Sequence, residues 1–250
     1  MRVDESKCTG CLRCVPYCPM GAIAKVPGRR LVAIDEDECV ECTVCSRAGV
    51  CAANALYQPE LTWPRILRAN FSDPKTEHKE TGVPGRGTEE MKTNDVTGRY
   101  GPGRVGMAAE LGRPGTGTRF HDVQKVALAM AEFGVAFEPK NPVTTLMVDR
   151  RSGRLRDDVL NEKVLSAIVE FDADLEQVPA ILRRLRAIAG EIETVFSVDI
   201  ISLVDPDGSV PLDRLGLAEQ GCAPSPQGKT NVGLGRPRAK NLEGKINDAH

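Results

Sequence analysis

Residues 8–19 are Cys8-Thr9-Gly10-Cys11-Leu12-Arg13-Cys14-Val15-Pro16-Tyr17-Cys18-Pro19, a stretch with four cysteines at gaps of two, two and three residues. A second run repeats the pattern at Cys39, Cys42, Cys45 and Cys51, with a last gap of five residues. The preceding residues repeat too, as Val3-Asp4-Glu5 and as Ile34-Asp35-Glu36. The sequence therefore predicts an internal duplication, in which each half holds a short strand, a cysteine loop and a short helical turn.

The dense cysteines are typical of metal ligands. Eight of the nine cysteines lie before residue 52, and the first eight residues contain no apolar signal core, which favours a cytoplasmic protein without structural disulfides. Zinc is the other alternative, but zinc sites use paired C-x-x-C knuckles about 15–20 residues apart. Three thiolates at two-residue gaps instead suit three corners of an iron–sulfur cubane, whose fourth ligand comes from elsewhere.

These residues resemble the bacterial two-cluster ferredoxins, over residues 1–57. The resemblance implies two [4Fe–4S] clusters with crossed ligands, one on Cys8, Cys11, Cys14 and Cys51 and the other on Cys39, Cys42, Cys45 and Cys18. The stretched gap between Cys45 and Cys51 predicts a bulged loop beside the second cluster, a candidate contact for a partner. Clusters of this kind have potentials on the order of −400 mV and are sensitive to oxygen, which favours anaerobic use.

Residues 58–104 show no sustained helical or strand periodicity. So long an aperiodic segment inside a compact chain predicts an extended arm that contacts a partner, with a disordered linker as the alternative. Trp63 and Phe71 are its candidate anchors, unless both pack on the cysteine-rich module.

Residues 105–205 predict a second unit with alternating strands and helices. The expected elements are a strand at Val105–Leu111, a helix at Thr118–Phe133, strands at Val143–Val148 and Val164–Phe171, a helix capped by Asp174, and a strand at Val195–Val204. Two helices on one face of four strands make a βαββαβ, ferredoxin-like sandwich, so the whole chain is assigned to the α+β class.

The turn Gly112–Thr118 resembles the strand-to-helix turn of ACT-type ligand-sensing domains. That resemblance implies an anion site at the helix N-terminus, whereas the simpler interpretation is a glycine-rich turn with Thr118 as the N-cap. Residues 80–205 also resemble 6-hydroxynicotinate reductases, iron–sulfur enzymes that reduce an aromatic ring, although no catalytic residue is matched.

Charge and hydropathy argue against two classes of function, nucleic-acid binding and membrane insertion. The 33 basic and 35 acidic side chains give a formal charge of −2, which offers no electrostatic case for nucleic acid. The sequence contains no apolar run of about 18 residues, so it predicts no membrane span. His78, His121 and His250 are expected at the surface, and the polar residues 206–250 predict a tail.

The leading hypothesis is therefore a non-catalytic electron-transfer subunit that relays single electrons from a low-potential donor to a catalytic oxidoreductase subunit, where any flavin would reside. The sequence leaves two alternatives open. One is a reductase that itself acts on an unsaturated or aromatic substrate, and the other is a redox-linked sensor of a small ligand.

Overall fold

The computed structural model describes residues 1–79, 82, 100–113, 115–223 and 225–226. Its N-terminal module is built from short elements around the two cysteine loops. These elements are β1 (Arg2–Val3), a 3-10 turn (Val15–Tyr17), β2 (Ile23–Lys25), β3 (Val32–Ile34), α1 (Val44–Arg47) and β4 (Leu56–Tyr57). Together with the second unit below, they confirm a mixed helix and strand protein.

The two halves of the module exchange their strands. Strand β1 pairs with β4 and β2 pairs with β3, both antiparallel, so each pair joins one half to the other. The backbone amide of Asp4 donates to the carbonyl of Ala55 at 2.8 Å, and the amide of Asp35 donates to the carbonyl of Ala22 at 2.8 Å. This repeated bonding agrees with the duplication that the sequence predicts.

The stretched cysteine gap is accommodated by a helical turn. In the first half, the amide of Tyr17 donates to the carbonyl of Cys14 at 3.1 Å, as in a 3-10 turn. In the second half, the amide of Ala48 donates to the carbonyl of Val44 at 2.9 Å, which is the wider α-helical bond of α1. The predicted bulge is therefore a short helix, which is followed by Gly49 at a φ of 65°.

The segment after the module begins as a buried helix, α2 (Ile66–Ser72), which the aperiodic sequence did not predict. Phe71 packs edge to face on Phe120 of the second unit, with ring centroids 5.1 Å apart. His78 packs on Phe71 at 4.6 Å and is buried, so the predicted surface position of His78 is wrong. Residues 67–73 of the predicted arm therefore pack within the chain, residues 58–66 stay at least partly exposed, and most of residues 80–99 lie outside the described residues.

The second unit contains a four-stranded sheet. Its elements are β5 (Arg104–Leu111), β6 (Thr118–Arg119), α3 (Phe120–Ala131), β7 (Ala136–Phe137), α4 (Pro142–Thr145), β8 (Met147–Asp149), β9 (Arg154–Leu155), β10 (Lys163–Val164), β11 (Ala167–Asp174), α5 (Val178–Ile188) and β12 (Phe196–Ser202). The sheet order is β12-β5-β11-β7, with antiparallel neighbours throughout.

Alternation along the central strands forms the core. Val105, Met107, Ala109 and Leu111 of β5 point to the same face and are fully buried in the cluster that includes α3 and α5. Each large apolar side chain buried in this way contributes about 1.5–3 kcal/mol to folding. A capping box at Asp174, with Gln177 as its partner, starts the second long helical segment as predicted.

The strand predicted at Val143–Val148 is wrong over most of its length, since only Met147 and Val148 lie in a strand, β8. Pro142 begins the short helix α4, and the side chain of Asn141 caps it by accepting a hydrogen bond from the amide of Val143 at 2.7 Å. The second strand of the sheet is β7, which lies before this helix and pairs with Phe171 and Asp172 of β11.

The helix predicted from Thr118 begins later, at Phe120. Thr118 lies in β6, where it pairs with Val164 of β10, and it does not cap α3. The glycine-rich turn therefore leads into a strand pair, so the predicted anion site at a helix N-terminus lacks its structural basis.

The predicted tail is folded over part of its length. Pro211–Leu215 forms a 3-10 helix, and Leu212, Leu215 and Leu217 pack against the core of the second unit. Residues 227–250 lie outside the described residues. Across the described ranges, none of the helices has both the length and the apolar character needed to cross a membrane.

Candidate metal centres

Two cavities in the N-terminal module are each lined by four cysteines. The first has a volume of about 350 Å³ and is lined by Cys8, Cys11, Cys14 and Cys51. The second is smaller, about 20 Å³, and is lined by Cys18, Cys39, Cys42 and Cys45. Each set takes three cysteines from one half and one from the other.

The cysteine loops have an unusual backbone that is repeated in the two halves. Gly10 and Leu12 flank Cys11 at φ values of 65° and 64°, and Glu41 and Thr43 flank Cys42 at 55° and 57°. Successive amides in such turns form concave nests that bind anions, including the sulfide-rich faces of iron–sulfur clusters. The loops are therefore shaped to surround a negatively charged group.

Further amides point at the cysteine that each run contributes to the other half. The amide of Ala22 donates to Sγ of Cys18 at 3.2 Å, and the amide of Ala55 donates to Sγ of Cys51 at 3.2 Å. Hydrogen bonds of this kind stabilise thiolates and adjust the potential of a bound cluster. The donor set and its amides thus fit a [4Fe–4S] group at both places.

The thiols differ in their surroundings. Burial raises the pKa of Cys42, and raises the pKa of Cys45 to about 11. The backbone amide of Arg13 lowers the pKa of Cys11, which is exposed. Because thiolates are the ligands, iron binding at the second set must release protons from buried thiols.

Arg68 holds the loop that leads into the second set. This side chain of α2 is only 4% exposed. Its Nη1 donates to the backbone carbonyls of Glu36, Asp37 and Cys39 at 3.0, 2.7 and 2.9 Å. Its Nε donates to the carboxylate of Glu162 in the second unit. One buried guanidinium thus connects a cysteine loop to the rest of the chain.

Two more cations of the second unit contact the same loop. Arg119 donates to the carboxylates of Asp37 at 2.6 Å and Glu38 at 3.3 Å, and Lys163 also pairs with Glu38. The hydrogen bond from Arg119 lowers the pKa of the Asp37 carboxyl. Sequence reasoning missed Arg68, Arg119 and Lys163, because no local spacing marks a contact that is made across the fold.

Glu41 is a buried carboxylate beside the second set, immediately before Cys42. It accepts hydrogen bonds from the amino group of Met1 and from Nε of Arg65, the latter at 2.8 Å. Burial raises the pKa of the Glu41 carboxyl, but these bonds outweigh burial and hold that pKa below its usual value. Glu41 therefore remains ionised and fixes the loop.

Gly10→Ala is expected to destabilise the module more than Gly21→Ala. Both glycines have a φ of 65°, where a Cβ costs about 1–2 kcal/mol in either position. A Cβ at Gly10 would also lie 2.5 Å from the carbonyl carbon of Arg30, whereas nothing lies within 4 Å of one at Gly21. We expect this clash to lower the free energy of unfolding by a further amount of about 1–3 kcal/mol. The measurement is anaerobic urea unfolding of the iron-loaded protein. Equal losses in the two variants would contradict the close approach at Gly10.

Comparison with known proteins agrees with this geometry. A family model described as a 4Fe-4S binding domain matches residues 1–24. A ferredoxin of Methanothermococcus thermolithotrophicus is 38% identical over 60 residues, which cover 23% of this chain and 95% of that protein. No solved structure matches the chain.

Proposed function

Because the chain belongs to the ferredoxin family through its N-terminal segment, we propose that it is an electron-transfer subunit of a larger oxidoreductase. It relays low-potential single electrons from an external donor to a catalytic partner subunit that binds the substrate. The observation that carries the proposal is the grouping of eight cysteines into two sets of four, each around its own cavity.

In this proposal each set binds one [4Fe–4S] cluster. The first site uses Cys8, Cys11, Cys14 and Cys51, and the second uses Cys39, Cys42, Cys45 and Cys18. Such clusters supply reversible one-electron transfer. The chain supplies thiolates, amide donors that compensate negative charge, and a loop held by Arg68. Because such clusters are sensitive to oxygen, the proposed setting is an anaerobic cytoplasm.

The test is anaerobic reconstitution of the full chain with iron and sulfide. We expect two clusters per chain by iron analysis, an electron paramagnetic resonance (EPR) spectrum of two reduced and interacting clusters, and potentials on the order of −400 mV. Iron bound without sulfide would contradict iron–sulfur ligation. Turnover of an organic substrate by the purified chain alone would contradict the subunit role and support the reductase alternative.

One observation favours a sensor as the second candidate. The strands of the four-stranded sheet occur along the chain as β5, β7, β11 and β12 and are arranged β12-β5-β11-β7, with α3 and α5 as the long helices between them, as in the βαββαβ unit that the sequence predicts. A redox-linked sensor would bind a small ligand on this unit. Calorimetry of the full chain against amino acids and organic anions tests the idea, and an absence of heat with all of them would contradict it.

A further inference from the structure

The two cysteine sets differ in their access to solvent. In the first set Cys11 is exposed and Cys8 and Cys51 are partly exposed. In the second set Cys39, Cys42 and Cys45 are buried and Cys18 is partly exposed. Because electron transfer between proteins is fastest where a cofactor approaches the surface, the first site is the closer one for an external protein.

The second site is also covered by the chain itself. Three cations hold the loop formed by residues 36–39. Arg68 donates to its backbone carbonyls, whereas Arg119 and Lys163 pair with its carboxylates. These contacts place the second unit and α2 against one side of the second cysteine set. A partner approaching from that side would have to displace a buried ion pair, Arg68 with Glu162.

An exposed surface surrounds the first set. Leu12 follows Cys11, is 37% exposed and is held at a φ of 64°. Arg13 is exposed beside it. The close packing of Gly10 on the backbone of Arg30 brings the turn between β2 and β3 to the same loop. Lys25 lies directly opposite Val32, which lines the first cavity, so the two side chains share one face of this strand pair. We call Leu12, Arg13, Lys25 and Arg30 the cluster-1 surface.

This surface has an excess of positive charge. Lys7 is neutralised by Asp4 at 2.8 Å, and Arg29 is neutralised by Glu5 at 3.0 Å. Arg13, Lys25 and Arg30 form no ion pair with any residue that the structure describes. The cluster-1 surface is therefore cationic in a chain whose formal charge is −2.

We infer that the cluster-1 surface is the docking site for an external redox protein with an acidic face, and that electrons cross between the two proteins at the first cysteine set. The inference rests on the proposed electron-transfer function and adds the site of exchange and the chemistry of its partner. The positive groups steer an acidic partner toward this surface. The apolar side chain of Leu12 then excludes water where the two proteins touch.

The test measures electron transfer from the reduced, reconstituted full chain by stopped flow. The probes are an acidic flavodoxin and, as the opposite charge, basic cytochrome c. We expect the K25E/R30E variant to reduce flavodoxin at least tenfold more slowly at low ionic strength and cytochrome c faster, because steering contributes about 10–10³ to such rates. The matched control R150E/R151E makes the same charge change on the exposed turn between β8 and β9. We expect it to change the rate of electron transfer to either probe by less than about twofold.

Wild-type protein provides a second readout that needs no variant. Added salt should slow the reaction with flavodoxin and accelerate the reaction with cytochrome c. Equal effects of the two double variants, or the reverse dependence on salt, would overturn the docking surface alone, provided that iron content and EPR spectra are unchanged. A wild-type chain that binds no clusters would instead overturn the proposed function.

Discussion

Cys18→Ala is expected to remove the cluster at the second cysteine set, although Cys18 belongs to the first run in the sequence. The reason is the crossed grouping, because Cys18 lines the cavity of Cys39, Cys42 and Cys45. Iron content should fall by about half, because the second site loses its cluster while the first site keeps its four cysteines.

Double variants decide between crossed and uncrossed ligation. C18A/C42A should lose no more iron than C18A, because both changes affect one site. C14A/C18A should lose nearly all the iron, because it damages both sites. Uncrossed ligation predicts the reverse: C18A/C42A would then lose nearly all the iron, and C14A/C18A would lose about half of it. Cys222→Ala is the control, since Cys222 is partly exposed and lies outside both cavities. The variant protein should retain all the iron.

Arg68→Met is expected to lower the free energy of unfolding by about 3–5 kcal/mol, because it leaves the Glu162 carboxylate and three backbone carbonyls without their buried donor. The second cluster should be lost first, since the carbonyl of Cys39 is one of these three. The measurement combines anaerobic urea unfolding with the EPR spectrum of the reduced protein.

Two further variants separate the contributions of Arg68. Glu162→Gln keeps the three carbonyl bonds and should cost clearly less than Arg68→Met. Arg183→Met removes an exposed guanidinium that bonds only to Gln220 among the described residues, and should change stability by less than about 0.5 kcal/mol. If Arg68→Met retains both clusters and full stability, the guanidinium does not hold the cysteine loop.

Local patterns in the sequence predicted the features that depend on local chemistry. Cysteine spacing indicated the two loops, and the side chains that alternate between faces over Val164–Phe171 indicated most of β11, because side chains on one face of a sheet recur at every second residue. The capping box at Asp174 was readable for the same reason, since its partners are three residues apart. The ligand sets themselves stay a prediction until they are tested with iron.

Other features depend on distant contacts or on competing local signals. The apolar run after Asn141 suggested a strand, but the cap and Pro142 impose a helical turn. Arg68 lies in a segment without periodicity, and its partners are 29 to 94 residues away along the chain. Glu41 and Thr43 adopt left-handed backbone without being glycine, and only the alignment of the two halves, which pairs Glu41 with Gly10, offers a hint.

The exchange of strands between the halves has a consequence for the order of assembly during synthesis. When residues 1–25 leave the ribosome, β1 and β2 have no partner strands, and the first three cysteines lack their fourth, Cys51. The second set has all four cysteines once Cys45 emerges, but its loop is unsupported until Arg68 and Glu162 have been made. If the second set binds a cluster as proposed, we expect iron to enter a stable second site only after most of the chain has been synthesised.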